Sequence, residues 1–407
     1  MAEANPNRSV DYFFGMKMTV PFGGGGIYGY KYLVNVVWIL RLIILGLPYI
    51  RAFKLLINHN IIRTSTEYSK VITIQFFIMS TKFERSVLVT GGTSGLGYEC
   101  ALNIARKYPE YQIIIAARSD ANSSAETINK TLRQNNAQFL PLDLLQLSKV
   151  RSFASDWQSR NFPPIQSMVL NAALQFPGPV EYSDDGFEKT FAVSHVGHAL
   201  LLSLLRPHLA DTARIVIVSS GTHDPLQDTG MPDAIYNTAE ELAHPTPESA
   251  KANGRQRYTS TKLANVLYTY ALGRRFEAIN KRYGKKWTVT AFDPGLMPGT
   301  GLARKASAIE KFLWSRVLPH ILPLLRLLMS PNIHTVQESG KALARLAVGL
   351  DVEGSSAVYY EGMKVTESSE VSHDQAKQDD LWEWTVRTLA ADDKEKRLFE
   401  FGDLQVV

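Results

Sequence analysis

"VLVTGGTSGLGYECA", residues 87–101, places three spaced glycines, Gly91, Gly95 and Gly97, between an apolar β-branched run and a helix-like pattern. A phosphate cradle needs that context: a buried strand feeds a tight turn, and a helix follows whose free N–H groups face an anion. Ser86–Thr90 reads as the strand, and Ala101, Ile104 and Ala105 follow Tyr98 at helical spacing. Gly91 would make the turn, Gly95 would let the backbone approach a pyrophosphate, and Gly97 would let helix and strand pack closely. The spacing is G-x-x-x-G-x-G. A second glycine-rich stretch, "FGGGGIYGYKY", fits G-x-G-x-x-G through Gly24, Gly26 and Gly29 but lacks that context.

The 407 residues exceed one average domain and suit an α/β unit with an appendage. A composition of 45% hydrophobic and 20% charged residues excludes disordered and collagen-like classes. Residues 1–80 hold 8 Lys/Arg and 3 Asp/Glu, which leaves 36 of each in residues 81–407. The net charge of +5 therefore belongs to the N-terminal segment, and no nucleic-acid-binding face is expected on the main domain. Cys100 is the only cysteine, so neither an internal disulfide nor a thiolate metal cluster can form, and a reducing compartment is the simple reading. His195 and His198 are three apart with no third ligand nearby, so packing and hydrogen bonding are expected of them, and no metal.

Two regions follow: an N-terminal basic and hydrophobic extension over 1–80 and a dinucleotide-binding domain over 81–407. Between Lys31 and Arg51, "YLVNVVWILRLIILGLPYI" is apolar enough for a membrane anchor or interfacial helix, yet Arg41, Asn35 and Pro48 interrupt it. The alternative is that this segment lies outside the working protein, because "MSTKFERSVLVTGG" from Met79 reads as a natural start. The expected location is cytoplasmic, with membrane association through residues 31–51 as the open question.

From Phe83 onward strand-like and helix-like runs alternate. Strands are expected at Ser86–Thr90, Gln112–Ala117, Gln138–Leu142, Ser167–Leu170, Arg214–Ser219, Thr288–Phe292 and Ala357–Tyr360. The fold class is α/β, a Rossmann-type doubly wound parallel sheet of about seven strands with helices on both faces.

An acid placed about 20 residues after the last glycine would accept the adenosine ribose hydroxyls of NAD. Here "IIIAARSD" puts Arg118 and Ser119 at the strand end and Asp120 one step beyond. Arginine's planar fork suits a 2′-phosphate, so NADP(H) is the expected cofactor. Asp143, at the next strand end in "FLPLDLLQ", would meet the adenine edge or cap the following helix.

The chemistry comes from "RYTSTKLANVLYTYAL", where Tyr258 and Lys262 lie four apart on one helical face. A phenol of pKa about 10 is a poor acid–base group at neutral pH, and an adjacent cation favours the phenolate. Lys262, together with the positive nicotinamide of an oxidised cofactor, is expected to lower Tyr258 in this way. Tyr360 and Lys364 repeat the spacing, but Gly362 and a preceding strand mark that pair as coincidence. Ser220 ends the strand "RIVIVSS", where its hydroxyl would hold a substrate carbonyl oxygen beside Tyr258.

With "TGGTSGLG" (90–97), "LNAA" (170–173), "VSS" (218–220), "YTSTK" (258–262) and "DPG" (293–295) in order, residues 83–400 resemble the short-chain dehydrogenase/reductase family. The resemblance implies carbonyl chemistry on NAD(P), with Tyr258 as acid–base, Lys262 lowering its pKa and binding ribose, and Ser220 orienting the carbonyl. It further implies cofactor contacts from Gly91, Thr93, Ser94, Gly95, Leu96, Gly97, Asn171 and Ala172, while Pro294, Gly295 and Thr300 would cover the nicotinamide. Ser194, in "FAVSHVGHALLL", stands where many members carry an asparagine that holds a relay water; serine reaches less far.

Closer similarity points to the retinol dehydrogenase and protochlorophyllide reductase-like branch, through "DPGLMPGTGLAR" and the 37 residues between Ser220 and Tyr258. Leu296 and Ala264 replace the photoactive enzymes' cysteines, which argues against light-driven reduction. After the turn, "IEKFLWSRVLPHILPLLRLLM" would wall a large apolar pocket, touch a bilayer surface, or form a core helix. A lipophilic carbonyl or alcohol is the expected substrate. The rivals are an alkene reductase and a non-catalytic NADPH-binding sensor or scaffold. A homodimer remains an open arrangement.

Overall fold

The computed structural model describes residues 83–298, 318–328 and 330–400, with two short strands, Asp11–Phe13 and Met16–Met18. The chain divides into two compact units, Met1–Thr81 and Lys82–Val407. In the first, the two short strands pair antiparallel. The apolar stretch at 31–51 and the glycines Gly24, Gly26 and Gly29 lie outside the described residues, as does Thr300.

The second unit is built on eight strands: β1 (Arg85–Thr90), β2 (Tyr111–Ala117), β3 (Ala137–Pro141), β4 (Ile165–Leu170), β5 (Leu209–Val218), β6 (Thr288–Asp293), β7 (Val358–Glu361) and β8 (Lys364–Val365). Their order across the sheet is β8-β7-β6-β5-β4-β1-β2-β3, parallel except for the β7–β8 hairpin. The expected seven strands are therefore joined by an eighth. Its two residues, Lys364 and Val365, are both exposed and too few to show alternation in the sequence.

Helices cover both faces because every central strand is apolar on both sides. Val87 and Val89 of β1 share a buried cluster with Cys100, Ala101 and Ile104 of α1 (Gly95–Lys107) and with Leu343 and Ala347 of α6 (Val336–Val348). Ile128 of α2 (Ser124–Leu132) joins the same layer. Leu88 points the other way, into a cluster with Phe153 and Trp157 of α3 (Leu147–Ser159), Leu200 of α4 (Gly197–Leu205) and Leu267 of α5 (Gly254–Tyr283). Trp382 and Trp384 of α7 (Gln375–Leu389) close that cluster.

Helix α5, 30 residues, is the longest among the described residues, and it positions the chemistry. The Asn253 side chain accepts from Gln256 N at its start, and Gly284 ends it in the left-handed region. The insertion before it is pinned to α7: Tyr236 Oη donates to Asp380 Oδ2 at 2.7 Å and Trp384 Nε1 donates to Glu240 Oε2 at 2.6 Å. Among the described residues no helix is long and apolar enough to cross a membrane.

Candidate active site

Strand β1 delivers the chain into the glycine turn. Gly91 has φ +65°, and its N–H donates to Ala116 O at 2.7 Å. A Cβ on Gly97 would stand 2.5 Å from Gly91 O, so only glycine lets α1 start this close to the turn. Gly95, by contrast, faces open space with φ +55°. The Ser94 side chain makes no capping bond, so the first-turn N–H groups of α1 keep their capacity for an anion. Thr93 O accepts from Ser124 Oγ at 2.8 Å, while Leu96 is buried.

Thr90 organises the floor beside this turn. Its Oγ1 accepts from Asn171 N at 2.9 Å and from Ala172 N at 3.0 Å, and Asn171 Nδ2 donates to Thr90 O at 2.8 Å. With both lone pairs taken, the Thr90 hydroxyl hydrogen faces His198 Nε2 at 2.8 Å, closer than Val169 O at 3.3 Å. That assigns His198 as the neutral tautomer protonated on Nδ1, which donates to Ser194 O at 3.1 Å. Burial pushes the His198 imidazole down to about 4, consistent with the neutral form. His195 Nε2 meets Thr385 Oγ1 at 2.9 Å. The two histidines are thus bound into the core.

Ser194 sits in a π-helical stretch, Ala192–Val196, ahead of α4. Its hydroxyl is buried and makes no hydrogen bond among the described residues. π-Bulges recur at functional sites, and nothing in the apolar periodicity signals this one.

Ser220, Tyr258 and Lys262 meet at the ends of β5 and α5. The Ser220 side chain lies near enough to the Tyr258 phenol to favour its phenolate. Lys262 Nζ donates to Val218 O at 2.9 Å and stands 5.5 Å from the centre of the Tyr258 ring. His223 Nδ1 donates to Ser220 O at 2.8 Å, and Ser219 Oγ donates to Lys262 O at 2.8 Å, which fixes the strand end to the helix.

The surroundings that the chain itself gives Tyr258 act against the expected lowering. Burial and the carboxylate of Asp293 push the phenol up, against the smaller downward effect of the Ser220 side chain. Desolvation pushes Lys262 down to about 8, with Asp293 acting in the opposite direction. The desolvation of a closed interior outweighs the neighbouring cation.

Asp293, Pro294 and Gly295 turn the chain at the end of β6. Asp293 Oδ1 accepts from Gly295 N at 2.9 Å and Oδ2 accepts from Asn332 Nδ2 at 2.7 Å. Pro294 O accepts from Ser339 Oγ at 2.7 Å. Asp293 lies inside the quoted motif, yet only its neighbours drew a role from the sequence. The signal available was a carboxylate at a strand end that delivers residues to a ligand crevice. His198 and Thr90 are the other residues that sequence reasoning left without a site role.

At the far side of the glycine turn, Arg118 and Ser119 follow β2 and are exposed. Asp120 faces away into α2, its carboxylate accepting from Ser124 N at 2.7 Å and Ala125 N at 3.3 Å. Asp143 makes a local turn, Oδ1 accepting from Leu145 N at 3.0 Å. The strand ends of β1, β2, β4, β5 and β6 therefore bring the glycine turn, Arg118, Asn171, Ser220 and Pro294 to one edge of the sheet, where Tyr258 and Lys262 meet them.

The sequence model described as short chain dehydrogenase matches residues 85–228. A Brassica napus protein called short-chain dehydrogenase TIC 32 B, chloroplastic, is 27% identical over 320 residues, covering 75% of this chain and 88% of its own. Polyprenol dehydrogenase of Homo sapiens is 28% identical over 307 residues, covering 74% of this chain and 83% of its own. The WW domain-containing oxidoreductase of Danio rerio is 29% identical over 308 residues, covering 75% and 68%. Among solved structures, an uncharacterized protein from Mycobacterium paratuberculosis has a TM-score of 0.51 at 23% identity, covering 75% of this chain and 93% of that one, a likeness of fold.

Proposed function

The chain belongs to the short-chain dehydrogenase/reductase family of oxidoreductases, and from that premise we propose that it moves hydride between NADP(H) and a lipophilic carbonyl or alcohol. The observation that carries this reading is the Lys262 ammonium above the Tyr258 ring, with the Ser220 side chain acting on the same phenol, beside an open helix start.

The residues present fit a dinucleotide. The uncapped start of α1 and the open space at Gly95 suit a pyrophosphate, with Thr93, Ser94 and Leu96 shaping the turn and Asn171 and Ala172 beside it. Arg118 would take the 2′-phosphate, Lys262 the ribose, and Pro294 and Gly295 the nicotinamide side. The bound cofactor would supply or accept the hydride. The chain's own residues handle the proton: Tyr258 Oη, oriented by Ser220, gives it to the substrate oxygen in reduction and takes it back in oxidation. Burial, with Asp293, holds the phenol in its protonated form, which is the form that donates. Lys262 favours the phenolate left behind.

The preference for NADP(H) is supported by exposed Arg118, since Asp120 is engaged in α2 and turned from the ribose role. A lipophilic substrate is supported by the name of the human relative, a polyprenol dehydrogenase, and by exposed Leu324, Leu327 and Leu328 on the helix Leu322–Leu328, in the segment after the Pro-Gly turn.

The test is nicotinamide absorbance on mixing the full chain with NADPH or NADH and a panel of long-chain aldehydes, ketones and isoprenoid alcohols with NADP⁺. Turnover with a lipophilic compound, lost in Tyr258→Phe, is the expected result. Binding of cofactor with no turnover across the panel would favour the sensor reading. Saturation of a carbon–carbon double bond, read from deuterium placement, would favour the alkene reductase.

A further inference from the structure

We infer that Asp293 is the counter-ion that keeps Lys262 an ammonium inside the crevice, which makes it a positioning residue for whatever Lys262 binds. Strand register places the two groups. Val218 and Phe292 are paired across β5 and β6, and Ser219 N donates to Phe292 O at 2.7 Å. Lys262 Nζ is fixed on Val218 O at 2.9 Å, and Asp293 is the next residue beyond Phe292. Its Oδ2 lies 3.0 Å from the point that a Cβ on Gly221 would occupy, so the carboxylate rests against the backbone just past Ser220.

Both side chains are 2% exposed. An ammonium closed off to this degree loses most of its hydration, and its direct hydrogen bond goes to a neutral carbonyl, which returns only part of it. A buried carboxylate one strand away supplies the missing charge. From its own helix Lys262 is faced by the neutral phenol of Tyr258 and from α4 by His198, which is neutral. From β6 it is faced by Asp293, which acts to hold the proton on Lys262.

Asp293 in turn feels His223 and His334, both pushed toward the neutral form by burial, and the phenol of Tyr359 and the carboxyl of Glu361. Neither imidazole competes as a cation, which leaves Lys262, among the described residues, as the charge that Asp293 balances. The same carboxylate also raises Tyr258, second to burial, so one group acts on both members of the pair.

The importance of this for cofactor rests on the function proposed above; the ionisation itself does not. The test is an NMR titration of the Lys262 side chain in the full, cofactor-free chain, its signal identified by loss in Lys262→Met. Asp293→Asn keeps the acceptor for Gly295 N while removing the charge, and should lower the Lys262 midpoint by about one pH unit or more. Asp293→Asn with Asn332→Asp returns the charge one hydrogen bond away, and should recover at least half of that shift. An unmoved midpoint in a folded Asp293→Asn chain overturns the inference. Should that variant not fold, Asn332→Asp alone must raise the midpoint, and failure to do so overturns it equally.

NADPH titrations at alkaline pH provide the second arm. A weakening of about tenfold or more in Asp293→Asn joins the counter-ion to cofactor binding. An unchanged affinity beside a shifted midpoint removes the positioning role. An absence of NADPH and NADH binding in the parent chain defeats the proposed function while the titration still decides the counter-ion.

Discussion

Lys262 Nζ stands 5.5 Å from the centre of the Tyr258 ring, one helical turn away on α5, with the Ser220 side chain acting on the phenol. Removing only the Tyr258 oxygen therefore removes the proton donor while leaving Lys262 and the glycine turn in place. Tyr258→Phe is expected to reduce turnover by about 10²–10⁴-fold. NADPH affinity, measured by fluorescence titration, should change little. Loss of binding in parallel with turnover would assign Tyr258 a binding role instead.

The ordinary lysine value of 10.5 falls to about 8 at Lys262 because burial penalises the ammonium. Below about pH 8 folded and unfolded chains both carry the proton, and the desolvation cost on the folded state is complete. Between about 8 and 10.5 the unfolded chain binds a proton that the folded chain has lost, so stability rises with pH across that window. Lys262→Met should accordingly be more stable than the parent at neutral pH without cofactor, by on the order of a few kcal/mol at most. Its advantage should shrink as the pH climbs through the window. Thermal melts of both chains at the two ends of that range check the sign, and a variant melting lower at neutral pH contradicts it.

The parts of this site that were legible in sequence are those with local chemical requirements. Gly91 needs a positive φ and Gly97 a close approach, and both requirements act within a few residues. Tyr258 and Lys262 share a face because a helix repeats on that spacing. What was not legible is set by distant partners. Burial, with Asp293 adding to it from another strand end, reverses the expected shift of Tyr258, and His198 reaches Thr90 across 108 positions. The segment between Ser220 and Tyr258 is tied to Asp380 and Trp384, each bond spanning 144 positions. No periodicity carries that information.

Arg118 is exposed at the end of β2, with Asp120 committed to the start of α2. Charge-assisted bonds to a phosphate are worth about 1.5–3 kcal/mol. Arg118→Ala is then expected to weaken NADPH by about 10–100-fold and to leave NADH nearly unchanged. Equal losses for the two cofactors in a binding titration would contradict the 2′-phosphate assignment.

The glycines of the turn should fail differently. A methyl on Gly97 meets Gly91 O at 2.5 Å and Asn171 Nδ2 at 2.6 Å, so Gly97→Ala must force helix and turn apart, at a cost of about 1–3 kcal/mol in stability. A methyl on Gly95 meets nothing, and only its φ of +55° resists, at about 1–2 kcal/mol. Gly95→Ala should therefore keep more of its melting temperature than Gly97→Ala while still losing cofactor affinity. Identical melting losses in the two variants would sink the distinction.

One residue before Tyr258, Arg257 binds three segments around the site. Its Nη1 donates to Ala252 O at 2.6 Å and its Nη2 to Gly178 O at 2.7 Å and Phe176 O at 3.3 Å, while Nε meets Glu188 Oε1 at 3.3 Å. Glu188 in turn accepts from Phe191 N at 2.8 Å at the start of the run that carries Ser194. Both charged side chains are buried, so truncating one leaves the other uncompensated. Arg257→Met is expected to cost about 3–5 kcal/mol in denaturant unfolding. Adding Glu188→Gln removes the stranded charge and should recover part of that loss, because burial already pushes Glu188 toward its neutral form. A double variant no more stable than Arg257→Met would locate the cost in the lost carbonyl contacts instead of the broken ion pair.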